Sequence, residues 1–208
     1  MQKLPIEGII RAIGSSMKYK LEYLKKQLVP GHVYRRSDLA PFTTSIDRHL
    51  AELVNDKTLK KLRTGLYFVP EKTVFGTPPP KDNELVRSFL KDSHFLLTSP
   101  NAYNSLGLGI TQLYNKTVVY NHKRHGTFNL GGRTFEFKMQ HRFPSKMTRE
   151  FLLVDCLNNI DTLAEDTKMV WSNAKKQALK MSKRNLKYQA DNYGSVRVKK
   201  FFEKILND

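Results

Sequence analysis

The chain has 208 residues, 39% of them hydrophobic, and carries 36 Lys+Arg against 19 Asp+Glu for a formal net charge of +17. That length buries a real core, that apolar fraction excludes a disordered basic tail, and the excess charge calls for an acidic partner. A lone cysteine, Cys156, excludes an intramolecular disulfide, multi-cysteine zinc sites and four-cysteine iron–sulfur clusters, and fits a reducing, cytoplasmic setting.

The charge is spread, with +7 over residues 1–75, +6 over 76–148 and +4 over 149–208, as on a folded surface that meets a long polyanion. Pro5, Glu7 and Arg11 break the first apolar stretch, which makes it a poor signal peptide. No run approaches the roughly 18 apolar residues of a membrane span, so no membrane partner is expected.

Ile6, Ile9, Ile10 and Ile13 predict a short leading helix. Ser16 then caps an apolar stripe of Met17, Leu21, Leu24 and Leu28 that Pro30-Gly31 closes. An extended piece at 32–34 leads to a short helix at 36–40, stopped by Pro41-Phe42. Thr43-Thr44 opens a third helix, with Thr44 as N-cap, Asp47 near the N-terminus, and Ile46, Leu50, Leu53 and Val54 on its apolar side. Residues 58–63, the Thr64-Gly65 pair and residues 66–69 then read as a hairpin. Helix, short helix, helix and hairpin predict a winged helix-turn-helix over residues 1–75.

Such a module sets the start of its recognition helix in the major groove and lays its wing along phosphates. Thr43, Thr44, Ser45, Arg48 and His49 are the expected groove-facing residues, with Arg48 able to bridge both guanine acceptors. Lys60, Lys61 and Arg63 supply phosphate contacts from the wing, and Arg35 and Arg36 do so from the second helix. Winged helices also serve as protein-interaction modules.

Pro78, Pro79 and Pro80 make residues 76–81 a stiff linker and the expected domain boundary. The second domain, 82–208, opens with a helix at 83–91. A buried strand at 95–97 and a short helix with Ser99 as cap and Pro100 at its first position come next. Residues 117–120, 127–130 and 133–138 read as strands, the last two flanking a Gly131-Gly132 turn. Helices are expected from Arg149, at 167–189 and at 195–206. Residues 168–204 hold eleven Lys and Arg against Asp191 and Glu203. The predicted fold class is α+β, an N-terminal winged helix-turn-helix followed by a small mixed α+β domain with C-terminal helices.

No GxGxxG, P-loop, HExxH or GxSxG pattern is present. His122, His125 and His141 lack helical ligand spacing and sit beside Lys123, Arg124 and Arg142, which disfavour a cation. Cys156 lies in an apolar helical stretch and reads as a buried, unreactive thiol; Asp155 and Asp161 do not share a helix face; Trp171 reads as a packing residue. No catalytic residue, metal or cofactor is expected.

Three stretches together resemble the AbiEi-type antitoxins of bacterial type IV toxin–antitoxin (abortive infection) systems. They are Arg63-Thr64-Gly65-Leu66-Tyr67-Phe68-Val69-Pro70, then Thr98-Ser99-Pro100-Asn101-Ala102-Tyr103-Asn104-Ser105-Leu106-Gly107-Leu108, then Gly131-Gly132-Arg133-Thr134-Phe135-Glu136-Phe137-Lys138. The resemblance implies a repressor of its own operon whose winged helix binds inverted repeats in double-stranded DNA. It also implies a second domain that counteracts a nucleotidyltransferase-like toxin through the toxin's effect or target, without a tight complex. The alternatives are a stand-alone transcriptional regulator and an RNA-binding protein, in which Tyr114, Tyr120 and Phe128 would offer stacking rings.

Overall fold

The computed structural model describes residues 19–74 and 76–207 and divides by contacts into two units. The first ends at Asp92 and takes in Leu130–Gly132; the second comprises Ser93–Asn129 and Arg133 onward. The leading helix expected at residues 6–13, the Ser16 cap, Met17, and the residues bearing on a leader segment (Pro5, Glu7 and Arg11) lie outside the described residues.

In the first unit, helix α1 (19–26) leads to strand β1 (Val33–Arg35), helix α2 (Arg36–Leu39) and a 3-10 turn at Ala40–Phe42. Helix α3 (Ile46–Asn55) and the strands β2 (Lys60–Arg63) and β3 (Leu66–Phe68) follow. The apolar spacing delivers Leu21 and Leu24, Leu39, and Ile46, Leu50 and Leu53 to one core, closed by Leu59, Tyr67 and Val69. The strands form an antiparallel sheet in the order β1-β3-β2, with Val33 opposite Phe68 and Lys60 opposite Phe68 on its other side. Gly65, at φ +75°, lets the β2–β3 hairpin turn. Helix α3 starts later than expected, and Thr44 is not its cap. Ser45 holds that position, and the Ser45 backbone N–H donates to Thr43 Oγ1 at 3.2 Å.

The boundary expected at the prolines moves. Helix α4 (Asp82–Leu90) belongs to the first unit, not to a second domain starting at residue 82. Glu84 Oε1 accepts the Val33 backbone N–H at 2.8 Å, and Ser88 Oγ donates to the Val33 carbonyl at 3.2 Å. Two side chains one helical turn apart thus satisfy the edge of β1, which a sheet leaves open to wrong pairing.

In the second unit, strand β4 (Phe95–Thr98) runs into a 3-10 helix at Pro100–Leu106, where Ser99 Oγ accepts from the Asn101 N–H as a cap should. Strands β5 (Thr117–Asn121), β6 (Gly126–Leu130) and β7 (Arg133–Met139) complete a sheet of order β4-β5-β7-β6. β4 pairs antiparallel to β5 with Phe95 opposite Asn121, and β5 pairs parallel to β7 with Asn121 opposite Met139. The start of β4 and the ends of β5 and β7 therefore share one sheet edge.

Helices α5 (Arg149–Asn159), α6 (Thr167–Ala178), α7 (Lys183–Tyr193) and α8 (Val196–Asn207) follow. The single helix expected at 167–189 is two, because Ser182 Oγ accepts from the Asn185 N–H and starts a new one. Every residue from Phe151 to Leu157 is buried, so α5 is the centre of the unit, with Val170, Ala174, Leu186, Ala190, Val198 and Phe202 in the same core. Trp171 packs edge-on against Phe201 at 4.7 Å between ring centres.

Between α7 and α8 the Gly194 N–H donates to the Ala190 carbonyl at 2.8 Å, and a Cβ at Gly194 would stand 2.5 Å from that oxygen. Gly194→Ala is expected to cost about 1–3 kcal/mol, the usual range for overpacking. Thermal unfolding checks this: a fall in Tm of roughly 2–12 °C is expected, and an unchanged Tm would contradict the tight turn.

Candidate functional site

The first candidate surface is the outer side of α3 with the β2–β3 hairpin. Burying Ile46, Leu50 and Leu53 turns Asp47, Arg48, Ala51, Glu52 and Asn55 outward. Arg48 and Thr44 are exposed as expected, and Thr44 Oγ1 accepts from Lys20 Nζ at 3.3 Å. Ser45 is half-buried. Thr43 and His49, expected to face a groove, are instead 6% and 2% exposed and hydrogen bonded to each other at 2.9 Å. Their spacing of six sets both at the base of the helix, where the bond closes the turn before it.

Arg35 and Arg36, expected as phosphate contacts, each pair with a carboxylate. Arg36 forks onto Asp47, Nε to Oδ1 at 2.6 Å and Nη2 to Oδ2 at 2.7 Å, and so ties α2 to the first turn of α3. The fork holds the Asp47 carboxyl below the usual carboxylate range. Arg35 reaches Asp38 from Nε at 3.0 Å and Nη2 at 2.8 Å, and its backbone N–H donates to the same carboxylate at 2.9 Å. Burial pushes Asp38 up, but Arg35 outweighs it and the carboxyl titrates low. Sequence spacing carried a signal for the Arg35 pair, three residues apart; nothing local announced that Arg36 would meet Asp47.

On the hairpin, Lys60, Lys61 and Arg63 are exposed around the buried Leu62, because the ladder shifts register between Lys61 and Arg63. That bulge gives three cations outward positions where strict alternation would bury one. The Arg63 guanidinium lies 5.4 Å from the centre of the Phe89 ring.

The second candidate, in the other unit, escaped the sequence analysis. Asp155, 4% exposed on α5, accepts from Tyr120 OH at 2.6 Å, Tyr103 OH at 2.7 Å and Asn159 Nδ2 at 3.1 Å. Asn159 Oδ1 accepts from Lys138 Nζ at 2.9 Å, and Glu136 takes Lys116 at 2.7 Å and Lys138 at 3.6 Å. Burial pushes the Asp155 carboxyl above its ordinary range, while the tyrosine hydrogen bonds pull it back. The network lies beside a cleft of about 330 Å³ whose lining includes Gln140, Arg142, Phe143 and Asn158. Only α5's unbroken apolar neighbourhood hinted that Asp155 needed partners.

Of the rings considered for stacking, Tyr120 is buried in this network, Tyr114 OH accepts from the Ala164 N–H at 3.0 Å, and Phe128 stands edge-on to Phe137 at 5.5 Å. Cys156 is fully buried, and burial pushes its thiol up to about 12. Asp161 pairs with Arg197 at 2.9 Å. Among the described residues, no three His, Cys, Asp or Glu side chains gather as metal ligands, and no helix is long and apolar enough to cross a membrane. No protein-family model, curated protein or solved structure matches this chain.

Asp155 generates two predictions. Removing one charge-assisted bond in Tyr120→Phe is expected to lower stability by about 1.5–3 kcal/mol in chemical denaturation. Because the folded-state pKa of Asp155 lies above the unfolded value of about 3.9, the native state binds the proton more tightly and its stability falls as pH rises through that window. Asp155→Asn lacks this dependence, so its Tm is expected to gain on that of the wild type as pH is raised from about 4 towards neutrality. Movement the other way would contradict the assignment.

Proposed function

We propose that the first unit is a winged helix-turn-helix that binds double-stranded DNA, with α3 in the major groove and the β2–β3 hairpin along the flanking phosphates. The observation that carries this reading is the bulged hairpin: Lys60, Lys61 and Arg63 all point outward from a wing that follows α3 in the chain. The order α1-β1-α2-α3-β2-β3 and the sheet order β1-β3-β2 support it. The outer face of α3 holds Arg48 and Asn55, and Thr44 precedes its N-cap; all three side chains can hydrogen bond to base edges. The same face carries Asp47 and Glu52, and Arg36 cancels the first of these. Charge on the wing then supplies sequence-independent affinity while α3 supplies selectivity.

The resemblance to AbiEi-type antitoxins extends this to a cytoplasmic repressor of its own operon, with two copies side by side on inverted repeats. It gives the second unit a non-catalytic, antitoxic role against a nucleotidyltransferase-like toxin, exerted without a tight complex. Growth rescue without co-purification is the expected pattern when the chain is co-expressed with such a toxin; absence of rescue removes the antitoxin part alone.

The DNA reading is tested by binding the full chain to its own upstream duplex and to random duplex of equal length at two salt concentrations. Preference for the upstream duplex that survives the higher salt is expected. Lys60→Ala and Lys61→Ala are each expected to weaken both probes and to lower the salt slope by about one. Arg48→Ala is expected to relax discrimination at one base position by about 1–3 kcal/mol. Equal binding to both duplexes, erased together by salt, would overturn the reading.

A further inference from the structure

We propose that the shared edge of the second unit's sheet, where β4 begins and β5 and β7 end, binds single-stranded nucleic acid, its bases stacking on His122 and His94 and its phosphates meeting Arg142.

The topology gathers the residues. Parallel pairing of β5 and β7 brings the segments after Asn121 and Met139 to one edge, and antiparallel β4 starts there. The Gln140 N–H donates to the Asn121 carbonyl at 2.9 Å, which extends the ladder to the very residue before His141 and Arg142. The buried Asn121 side chain fixes the next turn: its Oδ1 accepts the Lys123 and Arg124 N–H groups at 2.9 and 2.7 Å, and its Nδ2 donates to the Arg124 carbonyl at 3.0 Å. His122 is thereby held in place at the start of that turn.

There, three rings from three segments meet. His94 and His122 stack at 4.9 Å with 13° between planes, and Phe143 lies 5.0 Å from the first and 4.7 Å from the second. Phe143 is buried beneath while both imidazoles are exposed. Two exposed imidazoles packed face to face gain little for the core, whereas flat bases can stack on such rings.

Charge around the rings is mostly positive, with Asp92 two residues before His94 and Asp155 in the lining of the adjoining cleft. Residues 93–148 hold a single carboxylate, Glu136, which Lys116 and Lys138 already engage. His141 and Arg142 are exposed at the edge, and Arg142 and Phe143 also line the 330 Å³ cleft, room for a base or sugar beside the stack. A duplex hides its base faces and an acidic peptide has none, so an unpaired strand is the polyanion that uses both rings and cations.

The test measures fluorescence anisotropy of the full chain with short single-stranded RNA, single-stranded DNA of the same sequence, their blunt DNA duplex, and inorganic polyphosphate. Tighter binding of at least one single strand than of the duplex is expected, and the RNA and DNA arms identify which. His122→Ala is expected to weaken that strand roughly five- to hundredfold, His122→Phe to restore most of the loss, and neither to change polyphosphate binding. Arg142→Gln is expected to weaken the strand and polyphosphate alike. Wild-type binding of the strand by His122→Ala, or equal loss for polyphosphate, would overturn the proposal. His122 plays no part in the proposed duplex reading, so either can fail alone.

Discussion

The forked contact between Arg36 and Asp47 is the constraint on which the proposed DNA-reading surface depends. Both partners are well exposed, at 46% and 75%, so their pairing contributes little to stability; its effect is geometric. Two parallel bonds fix a guanidinium to a carboxylate in one orientation, and here they join a four-residue helix to the first turn of the next. They also cancel a negative charge on the face that would meet phosphates. Lys25 does the same at the other end of α3, reaching Asp56 at 3.2 Å. Arg36 and Lys25 tie elements of the module together, while Lys60, Lys61, Arg63 and Arg48 are exposed.

The second unit follows a different logic. Its carboxylate is buried, and a buried charge needs hydrogen bonds on every side. Tyr103 from the 3-10 helix, Tyr120 from β5 and Asn159 from α5 itself provide them, so one side chain ties three elements together. Lys138 continues the network to β7, with the sheet's lone carboxylate, Glu136, beyond it. This joins the sheet to α5 and leaves Arg142, His94 and His122 exposed at the edge.

Much of the fold was legible because its signals are local. Apolar spacing located α3 and α5, glycine at positive φ marked both hairpins, and Ser99 with Pro100 announced its helix start. What failed depended on contacts remote in sequence. The prolines at 78–80 mark an extended stretch, yet Glu84 and Ser88 carry the helix after them back to β1 across more than 50 residues. Thr43 and His49 look like groove readers by composition, and only the direction of α3's apolar stripe turns His49 inward. The break at Ser182 contains no glycine or proline. The histidine stack could not be read at all, since His94, His122 and Phe143 come together through parallel pairing that no local pattern encodes.

Backbone amide chemical-shift mapping of the full chain, titrated with its own upstream duplex, tests the central claim most directly. The largest shifts are expected at Thr44, Arg48, Glu52 and Asn55 and along hairpin residues 60–65. A duplex that leaves α3 and the hairpin unmoved while shifting residues of the second unit would contradict it.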